Sequence, residues 1–147
     1  MEKDLRLKLL KGWKKTDEKY ALDNDQGLTN VDNLVCPCGE TISLFKVEEE
    51  PTLGRHMFDK MLRDYSKITS NLKLLYVGKF KIRENNLSSY IIKEQISKNH
   101  ICHLLFVYEN VLYVFIFKLN VYFPSLKKII SSNQAFKEVV ALLEAQF

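Results

Sequence analysis

Glycine and proline are scarce, at five and three of 147 residues, while 46% of the chain is hydrophobic. That combination excludes disorder or a collagen-like repeat as the general state. Cysteine is limited to three, Cys36, Cys38 and Cys102. An odd count with no secretory leader argues for a reducing compartment rather than a disulfide framework. The start, Met1-Glu2-Lys3-Asp4-Leu5-Arg6, mixes acids with bases and has no long apolar stretch, so no signal peptide is expected. Long hydrophobic runs are missing as well. The longest, Ile101 to Phe117, is interrupted by His103 and by Glu109-Asn110, short of the roughly 18 uninterrupted apolar residues of a membrane helix. The expected location is cytoplasmic, with no membrane span.

Catalytic signatures are also absent. The chain has no Gly-x-Ser-x-Gly elbow, no glycine-rich phosphate loop and no His-Glu-x-x-His. His56, His100 and His103 stand in the sequence with Cys102, but Cys102 and His103 are neighbours on a strand and project to opposite faces. Only a pairing of Cys102 with His56 or a loop acid remains geometrically open. Cys36-Pro37-Cys38-Gly39, His100 and Cys102 offer four zinc ligands in principle. Structural zinc sites favour a Cys-x₂₋₄-Cys knuckle, however, and a single proline between two thiolates strains them on one metal. A redox pair usually has the Cys-x-x-Cys spacing. The reading preferred from sequence is small apolar cysteines near a turn, with no cofactor, no metal and no catalysis.

What is present is segregated charge. The formal net charge is +4, and residues 1–15 carry six cations against two acids. Residues 16–50 hold nine acids against two cations, and residues 51–103 hold ten cations against four acids. Such blocks neutralise one another in the fold or steer a charged partner.

Hydrophobic periodicity supplies the elements. Leu5, Leu7 and Leu9 alternate with Arg6 and Lys8 and suggest a half-buried first strand, followed by Gly12 and Trp13. Thr16 to Gly39 is rich in Asp, Asn and Gly and reads as loops carrying one or two short extended pieces. Thr41 to Val47 alternates as a strand. Glu48-Glu49-Glu50-Pro51 then opens a helix, with acids complementing the dipole and proline tolerated at the start. Leu53, Met57, Phe58, Met61, Leu62, Tyr65 and Ile68 form its apolar face. Period two returns in Leu72–Val77, in Lys79–Arg83 after a turn at Gly78, and in Ser89–Ile96 after Glu84-Asn85-Asn86. His100–Tyr108 and Val111–Leu119 follow, joined by the two-residue connection Glu109-Asn110. Pro124 closes the meander. Ser131 and Gln134 have the capping spacing of a helix start, and Phe136, Val139, Val140, Leu143 and Phe147 line that helix. The expected fold is a single α+β domain over 1–147. It has a twisted antiparallel sheet of five to six strands packed by two helices, at Pro51–Lys67 and Ser132–Phe147.

Gly12-Trp13 after a first strand, a strand ending in acids (Ile42 to Glu50), an amphipathic helix, the long meander with Gly78, and a closing helix with Phe136 together resemble the PsbP/DcrB-like superfamily. That superfamily includes the Eag chaperones that serve type VI secretion effectors. The resemblance is architectural and spans about Leu5 to Phe147. Where family members have a Pro-x-Gly-Trp-like opening, this chain has Leu10-Lys11-Gly12-Trp13. The resemblance implies an antiparallel sheet packed by helices and a protein-binding role without catalysis.

Two surfaces follow as candidates. Leu104 to Leu119 is apolar on both faces, so the hairpin is either central, covered by the two helices or by a second protomer as in a homodimer, or it shows one face to a partner. The exposed face is expected to carry Tyr113, Phe115 and Phe117. Lys79, Lys81 and Arg83 share a strand face opposite Phe80 and Ile82, and would guide an acidic partner. Lys73, Lys93 and Lys98, with Tyr76, Phe80 and Tyr90, raise a nucleic-acid reading by base stacking. Alternation opposes it, since Phe80 faces away from Lys79 and Lys81. The expected function is a non-catalytic protein-binding module, an adaptor or chaperone of the Eag type for a secreted effector. The alternative is an immunity-like inhibitor of a toxin, with a nucleic-acid-binding domain behind it.

Overall fold

Strong β-formers set the architecture, because the chain's longest apolar stretches alternate or run through as strands. A computed structural model describes residues 5–18, 27–68, 72–94, 99–119 and 132–147, with the backbone alone for 65–68, 72 and 76. The expectations placed on Ile96, Lys98, Pro124 and Ser131, and on the side chains of Tyr65, Ile68 and Tyr76, lie outside the described residues. The strands are β1 (Lys14–Lys15), β2 (Leu28–Val35), β3 (Thr41–Val47), β4 (Leu72–Ile82), β5 (Asn85–Glu94), β6 (His100–Tyr108) and β7 (Val111–Leu119). Helix α1 (Pro51–Ile68) follows β3, and α2 (Gln134–Gln146) follows β7. The strands form one antiparallel sheet in the order β1-β2-β3-β7-β6-β5-β4.

The expectation of five to six strands is therefore too low: the described residues contain seven. The surplus comes from the short β1 at Lys14–Lys15 and from Leu28–Val35, where Asn30, Asp32 and Asn33 make a full strand look like a short extended piece in a loop. Asn30 and Asn33 bond each other's side-chain amides at 2.9 and 3.0 Å, and the register slips between Asn30 and Asp32. Leu5 to Leu10 runs without strand pairing. Its alternation is satisfied by laying Leu5, Leu7, Leu9 and Leu10 on the core, with the Leu5 N–H donating to the Tyr113 hydroxyl at 2.9 Å. Gly78 makes no turn, since β4 continues through it and pairs it with Ser89. The turn at Glu109-Asn110 is as expected, both residues having positive φ of 49° and 63°, as a primed two-residue hairpin requires.

Both helices start on side-chain caps. The Glu50 carboxylate accepts the N–H groups of Thr52 and Leu53, each at 2.9 Å, and these bonds hold its pKa below the ordinary value. The α2 cap is Asn133, whose Oδ1 accepts the Phe136 N–H at 2.8 Å.

The sheet is sandwiched between the helices. On one face Phe45, Val47, Tyr90, Ile92, Ile101, Leu105, Leu112, Val114 and Ile116 pack with Phe58 and Leu62 of α1. On the other, Ile42, Leu44, Leu104, Phe106, Tyr113, Phe115 and Phe117 pack with Phe136, Val139, Leu142 and Leu143 of α2. The β6–β7 hairpin is thus central and covered on both faces. At the α1 N-terminal end the helix comes so close to the sheet that a Cβ on Gly54 would lie 3.0 Å from Leu112 Cδ2 and 3.2 Å from Val47 Cγ1. Among the described residues, no helix is long and apolar enough to cross a membrane.

Candidate functional site

Tyr113, Phe115 and Phe117 are no surface. Each is at most 1% exposed, with Phe117 against Phe136 of α2 and Phe106 stacked between Tyr113 and Phe115. The sequence shows the aromatic face correctly but carries no sign of which helix lies over it.

Lys79 and Lys81 are exposed on β4, on the α1 side, as alternation required. Arg83 parts from them. It sits beyond the end of β4 with a positive φ of 54°, and its Nε donates to the Glu144 carbonyl of α2 at 3.3 Å. The left-handed turn residue ends the period-two alternation, so the face shared by Lys79 and Lys81 does not extend to Arg83.

The helix α1 crosses from β3 to the far edge of the sheet, and its flank forms a cleft with β4 and β5. Gly54, Phe58 and Leu62 recur every four residues and face the sheet, which turns Arg55, Asp59 and Arg63 together to one side. These three, with His56, Lys79, Lys81 and Tyr90, line a cleft of about 730 Å³ floored by strands β4 and β5. Four permanent cations face one acid there. The acid is fully engaged: Asp59 Oδ1 accepts the Tyr90 hydroxyl at 2.8 Å, and Oδ2 accepts Arg63 Nε at 2.8 Å, an i,i+4 ion pair. Burial pushes the Asp59 carboxyl up, but these two bonds and the charges of Arg63 and His56 outweigh it and hold it below its ordinary value. Burial, then the bond and charge of Asp59, push the Tyr90 phenol far above its ordinary value. Burial lowers the Arg55 guanidinium while Tyr90 opposes, and Arg55 Nη2 is fixed on the Asn86 carbonyl at 2.9 Å.

Asp59 is held ionised and Tyr90 neutral, so neither of this bonded pair is poised to exchange a proton near neutrality. The cleft offers donors and positive charge, which suit an anion. The sequence signal for Arg55, Asp59 and Arg63 was their four-residue spacing on a helix. Only the crossing of α1 to the β4 edge joins them to Lys79 and Lys81.

On the other flank of α1, a groove of about 390 Å³ is lined by Leu28, Val47, Met57, Phe58 and Met61. Leu53 and Met57 are each 48% exposed. The helix is therefore a ridge, basic on one side and apolar on the other.

The remaining sequence candidates are dispersed. Cys102 is buried on β6, and burial drives its thiol far above the ordinary value. His56 is exposed at the cleft, while His103 is buried on the α1 face with Phe58 at 5.8 Å between ring centroids. Cys36 and Cys38 are bonded to each other. Neither His100 nor Cys102 joins them among the described residues; Glu138 does. No family model matches the chain, and no curated protein matches it.

Proposed function

We propose that this chain is a non-catalytic protein-binding module of the adaptor or chaperone type, and that the α1 ridge is its docking surface. The observation that carries the reading is the cleft in which Arg55, Arg63, Lys79 and Lys81 surround a single, already paired carboxylate. The occupant is a segment of a second protein that is acidic along one side and apolar along the other. Its acids pair with the cleft, and its apolar side chains fill the Met57 and Met61 groove. Arg55 and Lys81 provide charge, Tyr90 a fixed wall, and the methionines an adaptable apolar contact. The architectural resemblance to Eag chaperones supports a secreted effector as the partner and a cytoplasmic location.

The test is co-expression with the proteins encoded beside this chain. A partner should co-purify with the wild type and be lost with the Lys79→Glu, Lys81→Glu double variant and with the Leu53→Ser, Met57→Ser double variant. Capture that survives both changes rejects the ridge as the site. The immunity reading rests on the charged cleft alone. It predicts loss in the lysine variant, retention in the Leu53/Met57 variant, and rescue of cells from the partner's toxicity. Binding of single-stranded RNA that weakens steeply with salt and vanishes in the lysine variant would favour the nucleic-acid alternative.

A further inference from the structure

The turn joining β2 to β3 carries Cys36-Pro37-Cys38-Gly39, and its two sulfurs are bonded. The turn is closed without them. Gly39 N–H donates to the Cys36 carbonyl at 2.8 Å, and Cys36 N–H donates to the Glu40 carbonyl at 3.1 Å. The cysteines are two positions apart, and the chain-entropy gain from a cross-link shrinks with the loop it closes. As a staple, this bond adds little to what the backbone already holds.

The surroundings of the sulfurs suit exchange chemistry better. Cys36 is 2% exposed in the α2-side core, whereas Cys38 is partly exposed. A carboxylate oxygen of Glu138, on α2, and both sulfurs lie within 4.8 Å of one another. Glu138 is held there by two bonds: its Oε2 accepts the Cys38 N–H at 3.3 Å and its Oε1 accepts Gln134 Nε2 at 3.2 Å. Pro37 is packed on Gly12, where a Cβ would meet Pro37 Cγ at 3.0 Å. The turn thus leaves Cys38 the more exposed of the two cysteines and places a carboxylate beside both sulfurs.

We propose that Cys36 and Cys38 are a redox-active pair that exchanges with small thiols, with Cys38 as the sulfur attacked and Glu138 relaying the proton at Cys36. A glutathione thiolate bonds to Cys38 Sγ, the Cys36–Cys38 bond breaks, and its electron pair leaves on Cys36 Sγ. Cys36 takes a proton from solvent through Glu138. A second glutathione thiolate then attacks the glutathione sulfur of the mixed disulfide, and Cys38 leaves as a thiolate and is protonated. Two glutathiones become one glutathione disulfide while one protein disulfide becomes two thiols. Glutathione disulfide drives the reverse.

The experiment equilibrates the full chain in mixtures of reduced and oxidised glutathione, quenches with acid, alkylates, and counts thiols by intact mass. The expected result is a single two-thiol step within the glutathione range, with transient glutathione on Cys38 located by peptide mapping. Cys102, 0% exposed, is alkylated only after unfolding and serves as the internal standard. Glu138→Gln should slow exchange at least threefold and flatten its pH profile, and Glu138→Asp should restore part of both. A disulfide that survives excess glutathione, or a dithiol that survives excess glutathione disulfide, overturns the pair. Glutathione found on Cys36 reverses the assignment of the attacked sulfur, and a pH profile unchanged in Glu138→Gln removes Glu138 from the step.

Discussion

His103 sits at the middle of β6 between Tyr90 of β5 and Ile116 of β7, fully buried, with neither ring nitrogen hydrogen-bonded among the described residues. An imidazole in that position stays neutral, and burial pushes its pKa down to about 3. The unfolded chain has an ordinary histidine near 6.5 and so binds a proton that the folded chain refuses between those values. Stability from this residue is fully present above pH 6.5 and is lost on acidification through that window, by about 1.4 kcal/mol per pH unit. Urea unfolding at pH 7.0 and 5.5 should show this loss in the wild type and lack most of it in His103→Leu. The same variant should gain about 1–2 kcal/mol at pH 7, because two unpaired buried polar atoms disappear. An equal acid slope in both proteins would assign the loss to other groups.

The elements differ in how far their own residues announce them. β3, α1 and the β6–β7 hairpin follow from local period and turn chemistry, and their boundaries fall within a residue or two of the expectation. β2 does not, because its asparagines look like loop until their side chains are seen bonding to each other and to the Leu44 carbonyl. Leu5 to Leu10 has strand alternation but no strand to pair with. Burial of Tyr113, Phe115 and Phe117 is a long-range fact: both faces of β7 are apolar, and α2 covers this one as α1 covers the other. Lys79 and Lys81 were legible from alternation, whereas Arg83 is itself a turn residue with positive φ and leaves their face. A core assignment for Phe115 has a measurable consequence. Phe115→Ala should cost about 3–5 kcal/mol in urea unfolding, and Phe115→Asp should prevent folding. Met57→Ala, on the exposed flank of α1, should stay within about 0.5 kcal/mol of wild type. Comparable losses at both positions would contradict the burial assigned to them. Gly54 is the other tight point, and Gly54→Leu should cost about 1–3 kcal/mol by forcing α1 off Leu112 and Val47.

At the scale of the whole molecule, the charge blocks acquire a geometry. The basic block of residues 51–103 contains α1, β4 and β5, so its Arg55, Arg63, Lys79 and Lys81 converge on one cleft, while acids of the 16–50 block lie on and around β2 and β3 across the sheet. Lys15 of β1 reaches back to Asp32 of β2 at 3.5 Å, a local neutralisation at the acidic edge that leaves the basic edge untouched. The cleft therefore attracts an acidic partner to the β4 end of the sheet. Such a field acts mainly on encounter, whereas desolvated apolar contact governs escape. The two flanks of α1 should therefore separate in kinetics once a partner is in hand. In biolayer interferometry, the Lys79→Glu, Lys81→Glu double variant should lower the association rate tenfold or more at low salt, and raising ionic strength should narrow that difference as the field is screened. The Leu53→Ser, Met57→Ser double variant should leave association nearly unchanged and speed dissociation. If the lysine changes act only on dissociation and salt has no effect, the cleft makes contact without steering, and the charge segregation belongs to the fold alone.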